Sequence, residues 1–281
     1  MQTVAVTGGS GKLGAWVIKL LQEEGYRVVS LDERRSDHLK CKQLKINLTD
    51  LGQVVGGLQG AEAVIHLAAI PAPRGFTNEY IFTNNVQSTY HVFEAAALLG
   101  IRKVVAGSSE SSYGFAWAPV PFSPDYVPVD EDHPQQPQEC YGLSKIVGEK
   151  TGEMFHRRTG MQVMSLRYSM IVAQHEYASM AARDPARFSK TLWSYIDIRD
   201  AASATLAAMR SDAGGCHALN ITADDTLSDW STSRLLERFY PDVPAPRRPL
   251  PDRQAIVSNE RAKRVLDWRP QFRWEHFVEQ S

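Results

Sequence analysis

The first two-thirds of the chain alternates short apolar runs with longer stretches in which apolar and polar residues mix. Runs rich in valine, isoleucine, leucine and alanine, without polar alternation, are typical of parallel strands covered on both faces. The predicted strands are Thr3–Thr7, Arg27–Leu31, Gln43–Ile46, Ala63–Leu67, Lys103–Ser108 and Gln162–Leu166. The predicted helices between them are Leu13–Glu24, Leu51–Leu58, Tyr80–Leu99 and Tyr141–Thr159. This order predicts an α/β fold with a doubly wound parallel sheet.

The regular alternation weakens after about Arg167. We therefore expect one α/β domain over residues 1–168 and a smaller region over 169–281, interleaved with the first near 193–221. Thr226 and Asp229 have the spacing of a capping box ahead of a helix that ends near Phe239. The other elements predicted here are a strand at Trp193–Ile198, a helix at Asp200–Arg210, a strand at His217–Ile221, a proline-rich loop at Pro241–Pro251 and a helix at Asn259–Leu266.

Composition excludes several classes of function. The 281 residues carry a formal net charge of −1, which gives no bulk attraction to nucleic acid or to an anionic membrane. Apolar runs such as Ala63–Ile70 are shorter than the roughly 20 residues of a membrane helix. The first residues resemble a buried strand and not a secretory signal. Cys41, Cys140 and Cys216 show no spacing typical of a metal or redox site. We expect free thiols, no metal and a cytoplasmic location.

A glycine-rich segment, Thr7–Gly14, follows the first predicted strand and opens the first helix. Gly8 permits a tight turn, Gly11 lets the backbone approach a pyrophosphate, and Gly14 lets the helix pack closely on the strand. The free N–H groups and positive dipole end of the helix favour an anion there. This pattern in a strand–turn–helix context predicts a dinucleotide site on a Rossmann domain.

The second predicted strand is followed by Asp32, 24 residues after Gly8. A carboxylate there can accept both ribose hydroxyls of NAD and would repel the extra phosphate of NADP. Arg34 and Arg35 leave the alternative open, because a guanidinium can pair with a 2′-phosphate. NAD is the predicted cofactor and NADP the alternative.

Tyr141 and Lys145 stand four residues apart and therefore share one face of a helix. A lysine ammonium one turn away, together with a positive nicotinamide ring, would favour the phenolate and lower the pKa of the tyrosine. The run Ser108–Tyr113 follows the fifth strand at the edge where open α/β sheets bind ligands. A hydroxyl there can orient a substrate oxygen against the tyrosine.

These motifs together resemble the extended short-chain dehydrogenases/reductases of the NAD-dependent epimerase/dehydratase family. The resemblance runs from Met1 to about Arg210, with a fainter match at Arg264–Pro270. It implies that Ser109 is the catalytic hydroxyl, Tyr141 the acid/base and Lys145 the group that binds the nicotinamide ribose. It also implies a homodimer in which the helices at Tyr80–Leu99 and Tyr141–Thr159 pair into a four-helix bundle. The implied cofactor-binding residues are Gly8, Ser10, Gly11, Lys12, Leu13, Gly14, Asp32, Asn47, Leu48, Leu67, Ala68, Ala69, Asn85, Tyr141 and Lys145.

Departures from the family pattern narrow the expected reaction. Sugar-nucleotide dehydratases carry an Asp-Glu pair after the catalytic hydroxyl, whereas this chain has Glu110-Ser111, which disfavours dehydration. Met170 replaces an asparagine that helps epimerases hold a nucleotide diphosphate. The stretch Arg187–Ser194 is similar to one in uronate dehydrogenases. The candidate cations for a carboxylate or phosphate are Arg183, Arg187 and Arg247.

The sequence therefore predicts an NAD-dependent oxidoreductase or epimerase that moves hydride at a carbinol of a sugar or sugar derivative. The loop Phe115–Gln138, with six prolines, is expected to form a wall over this substrate. Two alternatives stay open at this point. One is an NADPH-dependent carbonyl reductase using the same residues, and the other is a non-catalytic dinucleotide sensor.

Overall fold

A computed structural model of the chain describes residues 2–180 and 184–278, and it is built around one parallel sheet. Its seven strands run in the order β3-β2-β1-β4-β5-β6-β9, with parallel pairing throughout. A separate pair, β7 and β8, is also parallel. The strands are β1 (Thr3–Thr7), β2 (Arg27–Asp32), β3 (Lys42–Lys45), β4 (Ala63–His66), β5 (Lys103–Ser109), β6 (Gln162–Tyr168), β7 (Met170–Val172), β8 (Tyr195–Asp197) and β9 (Cys216–Ile221).

Helices cover both faces of the large sheet. On one face, α1 and α5 pack their apolar residues against Val4, Val6 and Met164 of the strands. On the other face, α2, α3 and α4 pack against Ala5 and Val104. The helices are α1 (Lys12–Glu23), α2 (Leu51–Leu58), α3 (Asn78–Leu98), α4 (Cys140–Thr159), α5 (Ile198–Arg210), α6 (Thr232–Phe239), α7 (Glu260–Leu266) and α8 (Glu275–Val278).

The strand order reverses at β1, which lies between β2 and β4. Chain connections leave β1 toward opposite sides at this point, so a crevice opens beyond the carboxyl ends of the strands. The glycine-rich segment follows β1, and the catalytic candidates follow β5. The topology therefore brings both sequence motifs to the same edge of the sheet. The predicted doubly wound α/β fold is confirmed.

Most predicted elements match the structure to within two residues at each end. The capping-box prediction is wrong, because α6 begins at Thr232 and is capped by Ser231, whose side chain accepts from the Arg234 N–H. Thr226 is instead buried in the loop before the helix, where its backbone amide bonds to the Arg253 carbonyl oxygen. The short strand β7 was not predicted, since three residues give no periodicity.

A second apolar cluster lies beyond the carboxyl edge of the large sheet and includes the fully buried Trp193. The loop predicted as a wall joins this cluster through Phe115 and Val129. The backbone amide of Val129 bonds to the Ile256 carbonyl oxygen at 2.8 Å, which ties the loop to the C-terminal region. In the described part of the chain, no helix is long and apolar enough to cross a membrane.

A buried ion pair joins α4 to the sheet. Arg167 on β6 makes two bonds to the Glu149 carboxylate, at 2.9 and 2.7 Å, and both side chains are nearly fully buried. Arg167 also donates to the Tyr113 hydroxyl at 2.9 Å. Ser108 at the end of β5 donates to Glu149 at 2.6 Å. These contacts fix the position of α4 relative to β5 and β6.

We expect Glu149→Ala to lower the free energy of unfolding by about 3–5 kcal/mol, because it leaves the buried Arg167 charge without its partner. The matched control is Glu153→Ala, one turn along α4, which breaks an exposed pair with Lys150. Its effect should stay within about 0.5 kcal/mol. Urea unfolding followed by tryptophan fluorescence measures both. Equal effects for the two variants would contradict a stabilising role for the buried pair.

Candidate active site

The glycine-rich segment forms a tight turn that only glycine fits. Gly8 has a φ of +72°, and a Cβ there would lie 2.6 Å from the Ala68 nitrogen. A Cβ at Gly14 would lie 2.1 Å from the Gly8 carbonyl oxygen, so α1 could not pack this closely on the turn. Gly11 is the N-cap of α1 and supplies no side-chain cap. The first amides of α1 are therefore available to an anionic ligand.

Asp32 ties this turn to the loop after β2. One carboxylate oxygen accepts from the Ser10 amide at 3.0 Å, and the other accepts from the Arg34 amide at 3.1 Å. The Ser10 hydroxyl in turn donates to the Arg34 carbonyl oxygen at 2.8 Å. The carboxylate thus stands at the end of β2 beside the glycine turn, as the sequence predicted.

The end of β4 forms the other wall of the crevice. The Leu67 amide bonds to the Thr7 carbonyl oxygen, and Ala68 and Ala69 follow as a half-buried segment. The buried Asn85, two turns into α3, grips this segment in both directions. Its Oδ1 accepts from the Ile70 amide at 2.8 Å, and its Nδ2 donates to the Ile70 carbonyl oxygen at 3.0 Å. Asn85 therefore shapes the crevice.

The remaining predicted cofactor residues differ in their placement. Asn47 is exposed, and its side-chain oxygen accepts from the Thr49 amide and hydroxyl. Leu48 is buried in the core cluster beneath α2 and α3, so its side chain serves packing. Leu13 is half-buried against the core on the α1 face. Lys12 reaches across to the Ile171 carbonyl oxygen and to the Glu176 carboxylate.

The three catalytic candidates come from two elements. Ser109 ends β5, while Tyr141 and Lys145 lie in the first turns of α4, and both Ser109 and Tyr141 are buried. The N-cap Glu139 holds the start of α4 by accepting from the Tyr141 and Gly142 amides at 2.6 and 2.7 Å. The structure thus places the predicted serine, tyrosine and lysine at the edge of the sheet where the glycine turn also lies.

Burial has the largest effect on the pKa values of Tyr141 and Lys145, which share one face of α4. It raises the pKa of Tyr141 to about 12, although hydrogen bonding by the Ser109 hydroxyl acts in the opposite direction. Burial also lowers the pKa of Lys145 to about 8, partly opposed by the Glu149 carboxylate. The Lys145 ammonium donates to the Gly107 carbonyl oxygen at 2.8 Å and lies 5.5 Å from the centre of the tyrosine ring. The expected lowering of the Tyr141 pKa by Lys145 is not found in the protein alone. The contribution of a nicotinamide ring stays a prediction.

His66 at the end of β4 serves structure. Its two ring nitrogens lie 2.7 Å from the Thr7 hydroxyl and 3.0 Å from the Thr89 hydroxyl. Burial lowers the pKa of His66 to about 3, so the ring is neutral at physiological pH. A neutral histidine with both nitrogens engaged is poorly suited to move a proton in the reaction.

Two of the three candidate arginines have partners within the protein. Arg187 donates to the Ser179 carbonyl oxygen at 3.0 Å. The Arg247 guanidinium lies 3.2 Å from the centre of the Tyr126 ring, and its backbone amide bonds to the Val127 carbonyl oxygen. Arg183 lies outside the described residues. Among residues 2–180 and 184–278, no group of three or more His, Cys, Asp or Glu side chains is placed to hold a metal ion.

Sequence reasoning missed the role of Glu110, which it treated only as half of an incomplete pair. This side chain follows Ser109 directly and lines a small cavity of about 10 Å³ with Tyr113, Phe115 and Lys190. Its carboxylate contacts the Ser194 hydroxyl. The signal in the sequence was an acidic residue inside a run of serines at a strand end, where burial of a charge is costly.

The crevice fits a dinucleotide. The uncapped amides of α1 and the glycine turn would hold a pyrophosphate, and Asp32 would accept the hydroxyls of a ribose. Lys145 and Tyr141 stand at the far side, where a nicotinamide ribose would reach the catalytic strand end. The residues present therefore match the donor and acceptor pattern of NAD.

Known proteins agree with this geometry. The sequence matches the NAD dependent epimerase/dehydratase family over residues 4–222. It is 26% identical to a UDP-glucose 4-epimerase of Corynebacterium glutamicum, over 95% of this chain and 90% of that protein. It is 28% identical to an L-arabinose 1-dehydrogenase (NAD(P)(+)) of Haloferax volcanii, over 69% of this chain and 77% of that protein.

A solved structure shows the same fold. It is a short-chain dehydrogenase/reductase superfamily protein of Agrobacterium tumefaciens with bound NAD, and it has a TM-score of 0.79 and 22% identity. The alignment covers 99% of this chain and 95% of that one. This chain therefore belongs to the NAD dependent epimerase/dehydratase family of extended short-chain dehydrogenases/reductases, and it is an enzyme whose cofactor is NAD.

Proposed function

We propose that the protein catalyses reversible hydride transfer at a carbinol carbon of a sugar or sugar derivative, as a dehydrogenase or an epimerase. The observation that carries this proposal is the placement of Ser109, Tyr141 and Lys145 at the sheet edge that also holds the glycine turn. Sensors that only bind dinucleotide have no need for a buried tyrosine beside a serine hydroxyl. The complete set therefore favours catalysis over sensing.

The chain's own residues divide the work between them. Ser109 orients the substrate oxygen, and Tyr141 accepts the carbinol proton during oxidation and returns it during reduction. Lys145 binds the ribose and places a positive charge near the phenol, which favours its ionised form once the site is filled. NAD, when bound, supplies the acceptor for hydride at its nicotinamide ring. Asn85 holds the backbone of Ile70 and so maintains the shape of the cofactor crevice.

We expect a free sugar or sugar acid to be preferred over a nucleotide-linked sugar. A diphosphate needs several convergent donors, since an unpaired buried phosphate is costly. Arg187 and Arg247 each have a partner within the protein. The side chain of Met170 has no amide group that could donate to a phosphate. The relatives include both an epimerase of a nucleotide sugar and a dehydrogenase of a free sugar, so substrate class is a proposal about this chain.

Two further features belong to this proposal. Exposed apolar side chains on α3 and α4, among them Tyr90, Leu98 and Leu143, support a homodimer that buries these helices.

The three cysteines are free thiols, which supports a reducing compartment such as the cytoplasm.

Replacing Tyr141 with phenylalanine removes one oxygen and should lower turnover by about two to four orders of magnitude while leaving the affinity for NAD nearly intact. The matched control is Tyr80→Phe, which removes the same oxygen from an exposed tyrosine of α3. Turnover is measured by NADH fluorescence on a sugar that the wild type oxidises, and NAD affinity by calorimetry. Retention of more than a tenth of wild-type turnover would refute Tyr141 as the acid/base.

Asp32 should make NAD bind at least about tenfold tighter than NADP, because its charge repels a 2′-phosphate. Calorimetric titration of both cofactors measures this ratio. In Asp32→Asn the ratio should fall toward one, whereas Glu33→Gln, a neighbouring exposed carboxylate, should leave it unchanged. Tighter binding of NADP by the wild type would show that Arg34 or Arg35 governs the site, and it would favour the carbonyl reductase alternative.

A panel of free aldoses, uronic acids and UDP- or dTDP-linked sugars tests the substrate class. We expect turnover with free sugars and little with nucleotide-linked sugars, since Arg187 and Arg247 already have partners within the protein. NADH fluorescence detects oxidation, and product analysis detects epimers. Efficient conversion of a nucleotide sugar, with none of the free ones, would reverse the proposal about substrate class.

A further inference from the structure

A side-chain contact joins the two sides of the cofactor crevice, and we call it the Lys12–Glu176 bridge. Lys12 is the first residue of α1, and its ammonium donates to the Ile171 carbonyl oxygen at 2.8 Å and to the Glu176 carboxylate. The same carboxylate oxygen accepts from the Ala173 amide at 2.7 Å, which fixes its position. One cation therefore connects the glycine turn to the segment that follows β6.

The strand order shows what this bridge spans. Lys12 follows β1, whereas Ile171 and Glu176 follow β6, and β4 and β5 lie between these two strands. Neighbouring strands are about 4.8 Å apart, so the carboxyl ends of β1 and β6 are separated by about 14 Å. Ala68 follows β4 within this span, and Ser109 ends β5. The bridge therefore lies across the part of the crevice between the glycine turn and the catalytic residues.

The two ends of the bridge belong to different parts of the fold. Lys12 lies on α1, which packs on the large sheet. Next to Glu176, the buried Tyr177 donates to the Asp197 carboxylate of β8 at 3.1 Å and stacks on Phe277 of α8, with 5.0 Å between the ring centres. The segment after β7 is thus held by the C-terminal region on one side and by Lys12 on the other. Breaking the contact at Lys12 would open the crevice without disturbing either apolar core.

The exposure of the bridge suits a contact that opens and closes. The side chains of Lys12 and Glu176 are 43% and 31% exposed. Solvent screens an ion pair of this exposure, and such pairs shift an equilibrium by up to about fivefold. A fully buried pair would be far more costly to separate. The bridge therefore favours the closed crevice while leaving an open form accessible.

We propose that the Lys12–Glu176 bridge is a reversible closure over the cofactor crevice, which must open for NAD to enter or leave. A closure that forms equally with and without NAD slows entry and release by the same factor and leaves the affinity unchanged. A lysine that instead held the pyrophosphate directly would change the affinity. The inference goes beyond the proposed function, because it concerns exchange of the cofactor and not the reaction of a sugar.

Glu176→Gln removes the negative charge and keeps an oxygen that can accept from the Ala173 amide. We expect the rate constants for NADH association and dissociation both to rise about three- to fivefold, while the dissociation constant changes less than about twofold. Stopped-flow NADH fluorescence measures both rate constants, the second by displacement with excess NAD. The matched control is Glu23→Gln, which removes a carboxylate from an exposed pair with Lys19 at the other end of α1 and should leave both rates unchanged.

Lys12→Met removes the other partner of the bridge. Because either substitution breaks the same contact, adding Glu176→Gln to Lys12→Met should change neither rate constant further. Unchanged rates in Glu176→Gln alone would overturn the inference, and a weaker affinity for NADH in Lys12→Met would then identify Lys12 as a direct ligand of the pyrophosphate. An effect of Glu176→Gln that is equally large with and without Lys12 would also overturn it.

These measurements need no sugar, so they are independent of the proposed function. Failure of the wild type to oxidise or epimerise any sugar would refute the proposed function and leave the rates of cofactor exchange as evidence for the closure. Normal sugar turnover combined with unchanged exchange rates in Glu176→Gln would refute the closure alone.

Discussion

The Arg167–Glu149 ion pair sets the geometry on which the active site depends. Ser109 is carried by the sheet and Tyr141 by α4, so their separation is set by how α4 seats on β5 and β6. Glu149 lies one turn beyond Lys145 on α4 and receives bonds from both Arg167 and Ser108. A buried ion pair of this kind fixes the relative position of α4 and β6, because separating the two buried charges would cost free energy. The ion pair also acts on Lys145, because the Glu149 carboxylate raises the pKa of this lysine and partly offsets the effect of burial.

Burial moves the ionisable groups around the catalytic strand end toward their neutral forms. It raises the pKa of Tyr141 to about 12 and of Glu110 to about 7, and it lowers that of Lys145 to about 8. Each group is then sensitive to a charge that enters the site, because little solvent screens the interaction. A positive nicotinamide ring near Tyr141 would favour the phenolate, which makes cofactor binding the event that prepares the base.

The sequence predicted those parts of the fold and site that depend on local pattern. The glycine turn, Asp32 and the Tyr141/Lys145 pair could be found because strand and helix periodicity placed them at element ends. The choice of Ser109 among the serines after β5 came from the family resemblance. The start of α6 could not, since Thr226 has capping spacing but its position is decided by backbone bonding to Arg253. The side chain of Leu48 packs in the core, because an apolar side chain next to a binding loop is drawn to the nearest buried surface. A contact between Leu48 and the cofactor stays a prediction.

Contacts between residues distant in sequence account for what pattern could not show. Glu110 contacts Ser194, which lies 84 positions further along the chain, and Arg167 on β6 pairs with Glu149 on α4. Neither contact produces a periodic pattern in the sequence. The same limit applies to the small cavity that Glu110 lines, since it combines Glu110 and Lys190 from segments that are distant in sequence.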